Sequence, residues 1–312
     1  MKNTAGQGAV KRGYADTSGG QLHYRSAGDG DAIVFMHQAG RSGKIYERLG
    51  LLLSPHYRSL MIDLPGFGES DPLPDGFTVA DVAASVIEFL DCLGIEKARL
   101  SGHHTGAVVA GELAAAYPDR TVALAPTGYP VYASPEERRR IANSPQTVRP
   151  VLTMGGHSVP VITGYSSDGS HILRLFQRAT MMLWYSKVAL GAVGPMMLPF
   201  ENLPPEDLQF VNDFFMDGMK AFGSAPTLAA VREYLPEERL PMVAAPTMFI
   251  ASTGPVEAPF CQRLEPLQKL VPGSRGTTIE NGDIHMIHTR AEELSEILLA
   301  FFREVDAASA RP

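Results

Sequence analysis

Cysteine and long apolar segments are scarce in this chain. Only Cys92 and Cys261 occur in 312 residues, and they form neither a CxxC motif nor a zinc-ligand spacing. This pattern argues against a disulfide framework and favours a reducing compartment. The most apolar uncharged stretch, 188–200, contains two prolines and is shorter than the roughly 20 residues that span a bilayer. Because the N-terminal segment also lacks the apolar core of a signal peptide, we expect a cytoplasmic protein with no membrane partner.

Positive charge is also scarce. The chain has 27 Lys and Arg residues against 34 Asp and Glu residues, which gives a net charge of −7. Its basic residues form no stripe of the kind that binds nucleic acid. The run Arg138–Arg140 directly follows two glutamates and fits a solvated helix face. We therefore expect a small-molecule substrate and no nucleic-acid partner, and a homodimer remains an open alternative for the oligomeric state.

Short β-rich segments alternate with amphipathic helices along much of the chain. A hairpin is predicted at Tyr14–Ser26, and strands are predicted at Ala32–His37, Tyr57–Leu64, Ala98–Ser101, Val122–Ala125 and Thr247–Ala251. Helices are predicted from Val79 to Leu93 behind a Thr78–Asp81 capping box, from Thr105 to Tyr117, and from Ala291 to Val305. This alternation is typical of an α/β fold in which helices cover both faces of a mostly parallel sheet.

The pattern changes between residues 131 and 240. This segment is helical, rich in Met and aromatic residues, and interrupted by Gly and Pro. We therefore predict an α/β core formed by residues 1–130 and 241–312, with residues 131–240 inserted as a helical cap. Most aromatic residues of the insertion fit the packing of the cap itself, and Trp184 is our candidate for a contact to the substrate.

The segment GHHTG, residues 102–106, joins a predicted strand to a helix rich in Ala and Val. A strand, a G-x-x-x-G pentapeptide and a helix are the context of a nucleophile elbow, in which the central residue sits on a sharp, strained turn. The central residue here is His104, which has no hydroxyl, thiol or carboxylate. Acylation of a serine is therefore excluded at the apex, and Ser101 or Thr105 would have to act from a different geometry. An imidazole at the apex suits acid–base chemistry near neutral pH.

Together with other motifs, this segment resembles the α/β-hydrolase superfamily over nearly the whole chain. The other motifs are the hairpin and HG-x loop in GGQLHYRSAGDGDAIVFMHQAG, the D-x-x-G-x-G-x-S signature in MIDLPGFGESD, and the histidine loop ENGDIHMIH. The resemblance implies an α/β-hydrolase fold with a cap after the fourth predicted strand, and no cofactor. It also implies that His285 is a general base and that the backbone N–H groups of Ala39 and Thr105 form an oxyanion hole.

The chain departs from the superfamily pattern at the oxyanion loop and at the acid. Gln38 stands where the HG-x loop normally has glycine, and Pro255 stands where the acid is expected. Glu257 lies two residues later and is the candidate acid, with an exposed carboxylate at a helix start as the alternative. We expect Gln38 and His37 to contact the substrate, although His37 also fits a structural loop residue.

Two functions remain open from the sequence. The first is an enzyme that uses His104 with His285 on a small, mainly apolar organic substrate, by hydrolysis or by cofactor-free lyase-type proton transfer. The second is a non-catalytic ligand-binding protein derived from a hydrolase that lost its nucleophile, and the intact histidine loop favours the enzyme. A zinc ion on His37, His104 and His285 is a weaker hypothesis, because an elbow aims its side chain at the substrate. We therefore predict no metal.

Overall fold

The computed structural model describes residues 9–130, 151–154, 157–160, 168–189, 204–221, 224–254, 263–282 and 284–309. In these residues ten strands occur: β1 Lys11–Thr17, β2 Gly20–Ala27, β3 Ala32–Met36, β4 Arg58–Ile62, β5 Ala98–His103, β6 Thr121–Thr127, β7 Val151–Met154, β8 His157–Pro160, β9 Met248–Ser252 and β10 Arg275–Ile279. Eight of them form one sheet in the order β1-β2-β4-β3-β5-β6-β9-β10. Only the pairings of β2 with β1 and with β4 are antiparallel in this sheet. The predicted mostly parallel sheet is confirmed.

The same residues contain ten α-helices: α1 Glu47–Leu53, α2 Val79–Cys92, α3 Thr105–Ala116, α4 Ser170–Ala189, α5 Pro205–Met219, α6 Ser224–Glu233, α7 Pro236–Arg239, α8 Leu264–Leu270, α9 Met286–Thr289 and α10 Ala291–Ser309. Helix α2 begins with the predicted capping box. The Asp81 N–H donates to Thr78 Oγ1, and the Thr78 N–H donates to the Asp81 carboxylate at 2.7 Å. Just beyond the helix, Gly94 adopts a left-handed φ of 66°, as expected for a helix stop.

The sheet separates two apolar cores. All five residues of β3 are buried, and successive side chains point to opposite faces of the sheet. Val34 and Met36 pack with α2 and α3 on one face, whereas Ile33 and Phe35 pack with α1 and α10 on the other. A strand that is buried on both faces therefore reads as a continuous apolar run in the sequence.

The chain between β6 and β9 forms an insertion at the position predicted for the cap. It contains the antiparallel pair β7–β8 and helices α4 to α7. Helices α4 and α5 pack against each other, whereas α6 packs against the core helices α2 and α3. A salt bridge of 2.6 Å between Lys44 and Asp213 ties α5 to the segment that follows β3. None of the helices that the structure describes is long and apolar enough to cross a membrane.

Candidate active site

His104 occupies the turn between β5 and α3. Its backbone angles are φ 48° and ψ −109°, a conformation that residues other than glycine rarely adopt. Among the described residues, Asn281 is the only other non-glycine with a positive φ. Strain of this kind persists only where the surrounding structure imposes it, and it concentrates at functional sites. The strand, strained turn and helix that the sequence predicts are therefore all present, with a partly exposed imidazole at the apex.

Two glycines make this turn sterically possible. A Cβ on Gly102 would lie 2.2 Å from the carbonyl oxygen of Gly106, and a Cβ on Gly106 would lie 2.0 Å from that of Met36. Neither position can hold a side chain, so α3 starts directly against the end of β3. This close approach brings Gly106, the neighbour of Thr105, against the backbone of Met36 and His37. That Ala39 and Thr105 supply oxyanion donors stays a prediction.

Gln38 connects the elbow with the histidine loop. Its side-chain oxygen accepts a hydrogen bond from His103 Nδ1, and its Nε2 donates to the carbonyl oxygen of Ile284 at 3.3 Å. Burial lowers the pKa of His103 well below 6.5, and the charge of His104 adds to this effect. His103 is therefore neutral, with its proton on Nδ1. These contacts give Gln38 a structural role in place of the glycine that the superfamily has there.

His37 also serves the structure of this loop. It is fully buried, its Nδ1 donates to the carbonyl oxygen of Gln38 at 2.8 Å, and its Nε2 accepts from the Leu64 N–H at 2.9 Å. Both ring nitrogens are used within the protein, so neither is left for a polar contact to a substrate or for zinc. Within the described residues, no group of three or more His, Cys, Asp or Glu side chains is arranged to hold a metal ion.

His285 lies at the start of α9, where cap helix α5 covers it. Its ring is edge-on to Phe210 and Phe214, with centroid distances of 4.9 and 5.5 Å. Nη1 of Arg41 lies 3.4 Å from His285 Nδ1. A guanidinium can only donate hydrogen bonds, so this contact favours the tautomer of the neutral ring whose proton lies on Nε2.

This contact differs from the one that the general base makes in a serine triad. In a serine triad a carboxylate accepts the Nδ1 proton, which leaves Nε2 free to act as a base. Here the guanidinium of Arg41 faces Nδ1, an arrangement that favours a proton on Nε2. Burial, followed by the charges of Arg41 and Arg178, holds the pKa of His285 well below 6.5. That His285 acts as a general base stays a prediction.

A cap residue supplies the carboxylate that binds Arg41. Asp217 of α5 accepts from Arg41 Nε at 2.9 Å and from Ser42 Oγ at 2.7 Å. The side chains of Arg41 and Asp217 are only 7% and 8% exposed. Sequence reasoning missed both residues, and the only available signal was a single aspartate within the apolar segment FFMDGM. Among the described residues, the buried carboxylate of Asp217 is therefore linked to His285 through a guanidinium.

Two further residues were predicted to belong to the site. Glu257, the candidate acid, lies outside the described residues, and Trp184 lies on α4.

A cavity of about 10 Å³, roughly the room that one water molecule needs, opens beside His285. It is lined by Gln38, Arg41, Ile45, Ile284, His285, Ile287 and His288. The lining of this cavity thus combines three isoleucines with two imidazoles and with the guanidinium that pairs with Asp217, and His104 is not part of it.

Comparison with known proteins identifies the N-terminal part of the chain. Residues 31–152 match the family model described as alpha/beta hydrolase fold. The chain is 36% identical over 122 residues to the dihydrolipoyllysine-residue acetyltransferase component of the acetoin cleaving system of Cupriavidus necator, a match that covers 37% of this chain and 32% of that protein. It is 34% identical over 110 residues to the 2-hydroxy-6-oxo-6-phenylhexa-2,4-dienoate hydrolase of Comamonas testosteroni, covering 34% and 38% of the two chains. The chain thus spans about a third of the length of these relatives.

A solved structure extends the similarity to the whole chain. Epoxide hydrolase A from Mycobacterium thermoresistibile superposes with a TM-score of 0.69 and 19% identity, over 95% of this chain and 98% of that one. The chain has the α/β-hydrolase fold. The named activities of these similar proteins differ, so the likeness establishes the fold and leaves the reaction to the residues of the site.

In this α/β-hydrolase fold, the D-x-x-G-x-G-x-S signature forms a buried polar network next to the site. Asp63 is fully buried and accepts hydrogen bonds from His23 Nδ1 at 2.8 Å and from Arg25 Nη1 at 3.1 Å. A Cβ on Gly68 would lie 2.2 Å from the Asp63 carboxylate, so glycine is required there. Asp63 also accepts from the Gly43 N–H at 2.7 Å, and this contact fixes the chain just after Arg41 and Ser42.

Nitrogen-15 NMR titration of His285 tests its arrangement with Arg41. We expect the ring to stay neutral as the pH falls through 6.5, because burial and the nearby arginine charges lower its pKa. Nδ1 should show the signal of an unprotonated nitrogen and Nε2 that of a protonated one. Loss of the signals in His285→Gln assigns them. A proton on Nδ1 at neutral pH, or protonation of the ring near pH 6.5, would contradict the arrangement.

Proposed function

We propose that this chain is a hydrolase of small, mainly apolar organic substrates. In this proposal His104 occupies the position of the serine nucleophile and activates water for the attack on the substrate. The observation that carries the proposal is the strained backbone of His104, which lies where the fold presents its reacting side chain. The similarity to the dienoate hydrolase from Comamonas testosteroni supports a hydrolytic reaction class. Isoleucine and phenylalanine side chains around His285 support an apolar substrate.

In this proposal His104 acts as a general base toward water. Its neutral ring takes a proton from water as the water oxygen bonds to the carbonyl carbon of the substrate, and the carbonyl electron pair moves onto its oxygen. The protonated His104 then returns the proton to the leaving group as the carbonyl re-forms and the bond to that group breaks. No proton is gained or lost over the cycle, so one residue serves as base and then as acid.

His285 stabilises the oxyanion in the same proposal. Its Nε2–H donates a hydrogen bond to the developing negative charge, together with the backbone N–H groups of Ala39 and Thr105. The ring stays neutral throughout, because Arg41 holds Nδ1 as an acceptor. A neutral imidazole is a useful electrophile when it cannot lose its proton to the solvent, and burial by Phe210 and Phe214 favours this.

Ligand binding without turnover is the second candidate function. It is favoured by one observation, namely that the described contacts of His285 Nδ1 place a cation where a hydrolase has an acid. Cofactor-free proton transfer would use the same two rings, with a carbon-bound proton in place of the water proton. These alternatives differ in whether an oxygen atom from water enters the product.

Turnover of a compound panel in water labelled with oxygen-18 tests the proposal. The panel contains esters, lactones and β-dicarbonyl compounds, and mass spectrometry follows both turnover and label. We expect at least one class to be converted with one labelled oxygen in the product acid, above the level of an incubation without protein. Conversion without label would indicate lyase-type chemistry, and absence of conversion across the panel would favour ligand binding. Either result would contradict hydrolysis.

A further inference from the structure

A second arginine reaches the site from the cap. Arg178 lies on α4, and its guanidinium carbon is 5.8 Å from the centre of the Phe214 ring. Arg41 lies over the same ring at 4.9 Å, and that ring packs edge-on against His285. Two guanidinium groups therefore share one aromatic side chain next to the imidazole of His285.

Arg178 differs from Arg41 in having no counter-ion among the described residues. Its Nε is shielded from solvent and donates to none of the residues that the structure describes. Burial lowers the pKa of Arg178, and the charge of Arg41 lowers it further. A buried N–H group that donates to no partner is costly. A folded chain that keeps such an N–H group beside its candidate site can satisfy it by binding a ligand that accepts hydrogen bonds.

The balance of charges at the site points the same way. Asp217 compensates Arg41 through a direct ion pair, whereas no described carboxylate pairs with Arg178. Burial lowers the pKa of His285, and the charges of Arg41 and Arg178 lower it further, in keeping with two guanidinium groups close to the ring. A bound anion would offset these two positive charges. A single guanidinium with no counter-ion among the described residues suits a planar anion with a single charge, because its parallel N–H groups match a carboxylate.

We propose that Arg178 binds a carboxylate of the substrate, so that the substrate class is a small, mainly apolar organic acid anion. The part of this inference that concerns a reacting carbonyl at His104 rests on the proposed function. Binding of the anion does not depend on turnover. Phe214 would support the carbon skeleton next to the carboxylate, since it lies against Arg178 and His285.

Calorimetric binding of benzoate and benzamide to the full chain tests the inference. The two probes have similar shapes, but only benzoate is charged. We expect the chain to prefer benzoate by about tenfold or more, as befits a hydrogen bond to a charged group. Arg178→Met should abolish the preference. Arg174→Met is the matched control, because Arg174 lies one turn earlier on α4, is exposed, and contacts Ser170 at 2.9 Å.

Equal binding of the two probes, or a preference that survives Arg178→Met, would overturn the inference. A preference that Arg174→Met also abolishes would overturn it as well, because only the general charge of the helix would then matter. Thermal melting provides an independent measurement. Without ligand, Arg178→Met should melt no lower than Arg174→Met, because it removes a charge with no counter-ion, and benzoate should raise the melting temperature of the unmodified chain only. A lower melting temperature for Arg178→Met would indicate a structural role and overturn the inference.

Failure of this inference can be distinguished from failure of the proposed function. Binding of benzoate through Arg178 without hydrolysis of any compound would support the anion site and contradict the proposed hydrolase function. Hydrolysis of neutral esters and of carboxylate-bearing esters with equal kcat/KM would support the hydrolase function and contradict the anion site.

Discussion

Replacing His104 with alanine is expected to lower kcat/KM for the hydrolysed substrate by about 10²–10⁴-fold, the usual effect of losing a general acid–base group. The reason is that no other described side chain occupies the apex, and in the proposed arrangement His285 donates from Nε2 and does not replace the base. The fold should survive. The structural contacts of this residue include the main-chain bonds from its N–H to Thr127 at 3.2 Å and from the Val108 N–H to its carbonyl at 3.1 Å, and alanine keeps both. Steady-state kinetics and a thermal melt of the variant measure the two effects.

Two further variants make this result specific. His56→Ala is the matched control, because His56 is exposed and contacts Arg303 far from the pocket, and its activity should equal that of the unmodified chain. His104→Ser should remain inactive as an esterase, because Arg41 leaves His285 with no basic nitrogen toward the serine. An unchanged rate in His104→Ala would contradict the proposal. Labelling of Ser101 or Thr105 by an acylating reagent would then identify a different nucleophile.

Asp63→Asn is expected to lower the free energy of unfolding by about 3–5 kcal/mol, the typical effect of removing one partner of a buried ion pair. The carboxylate accepts hydrogen bonds from His23 and Arg25, and also from the backbone N–H groups of Gly43 and Glu69. An asparagine keeps one acceptor and turns its amide N–H groups toward other donors. Urea unfolding of the variant beside Asp29→Asn, which changes an exposed aspartate, measures the effect. The control should stay within about 0.5 kcal/mol of the unmodified chain.

The difference in the free energy of unfolding between the unmodified chain and Asp63→Asn should depend on pH in a defined direction. Burial by itself would raise the pKa of Asp63, but the hydrogen bond from His23 and the charge of Arg25 hold it below 3.8. A carboxyl whose pKa is lowered by folding stabilises the protein above its unfolded pKa, and this contribution disappears as the pH falls through the folded value. The gap between the unmodified chain and Asp63→Asn should therefore narrow in acid. If Asp63→Asn lowered the free energy of unfolding at neutral pH no more than Asp29→Asn does, the hydrogen-bond network assigned to Asp63 would be contradicted.

The sequence by itself determined the architecture and the apex of the elbow. Strand β3 is apolar at all five positions because it is buried on both faces, and α2 repeats apolar residues on the face that packs against the sheet. The glycines at 102 and 106 mark a turn where backbone atoms approach too closely for a Cβ. These signals can be recognised in the sequence because each depends on residues that are close together along the chain.

Only the tertiary structure decided which groups surround His285. Arg41 and Asp217 are 176 residues apart, and Arg41 and His285 are 244 residues apart, so no local pattern links them. The sequence correctly indicated that a histidine loop precedes the last helix. The proton position in a neutral imidazole, however, is set by the group that contacts the other nitrogen. A guanidinium brought there by folding favours a proton on Nε2, whereas a carboxylate at Nδ1 would favour a base at Nε2.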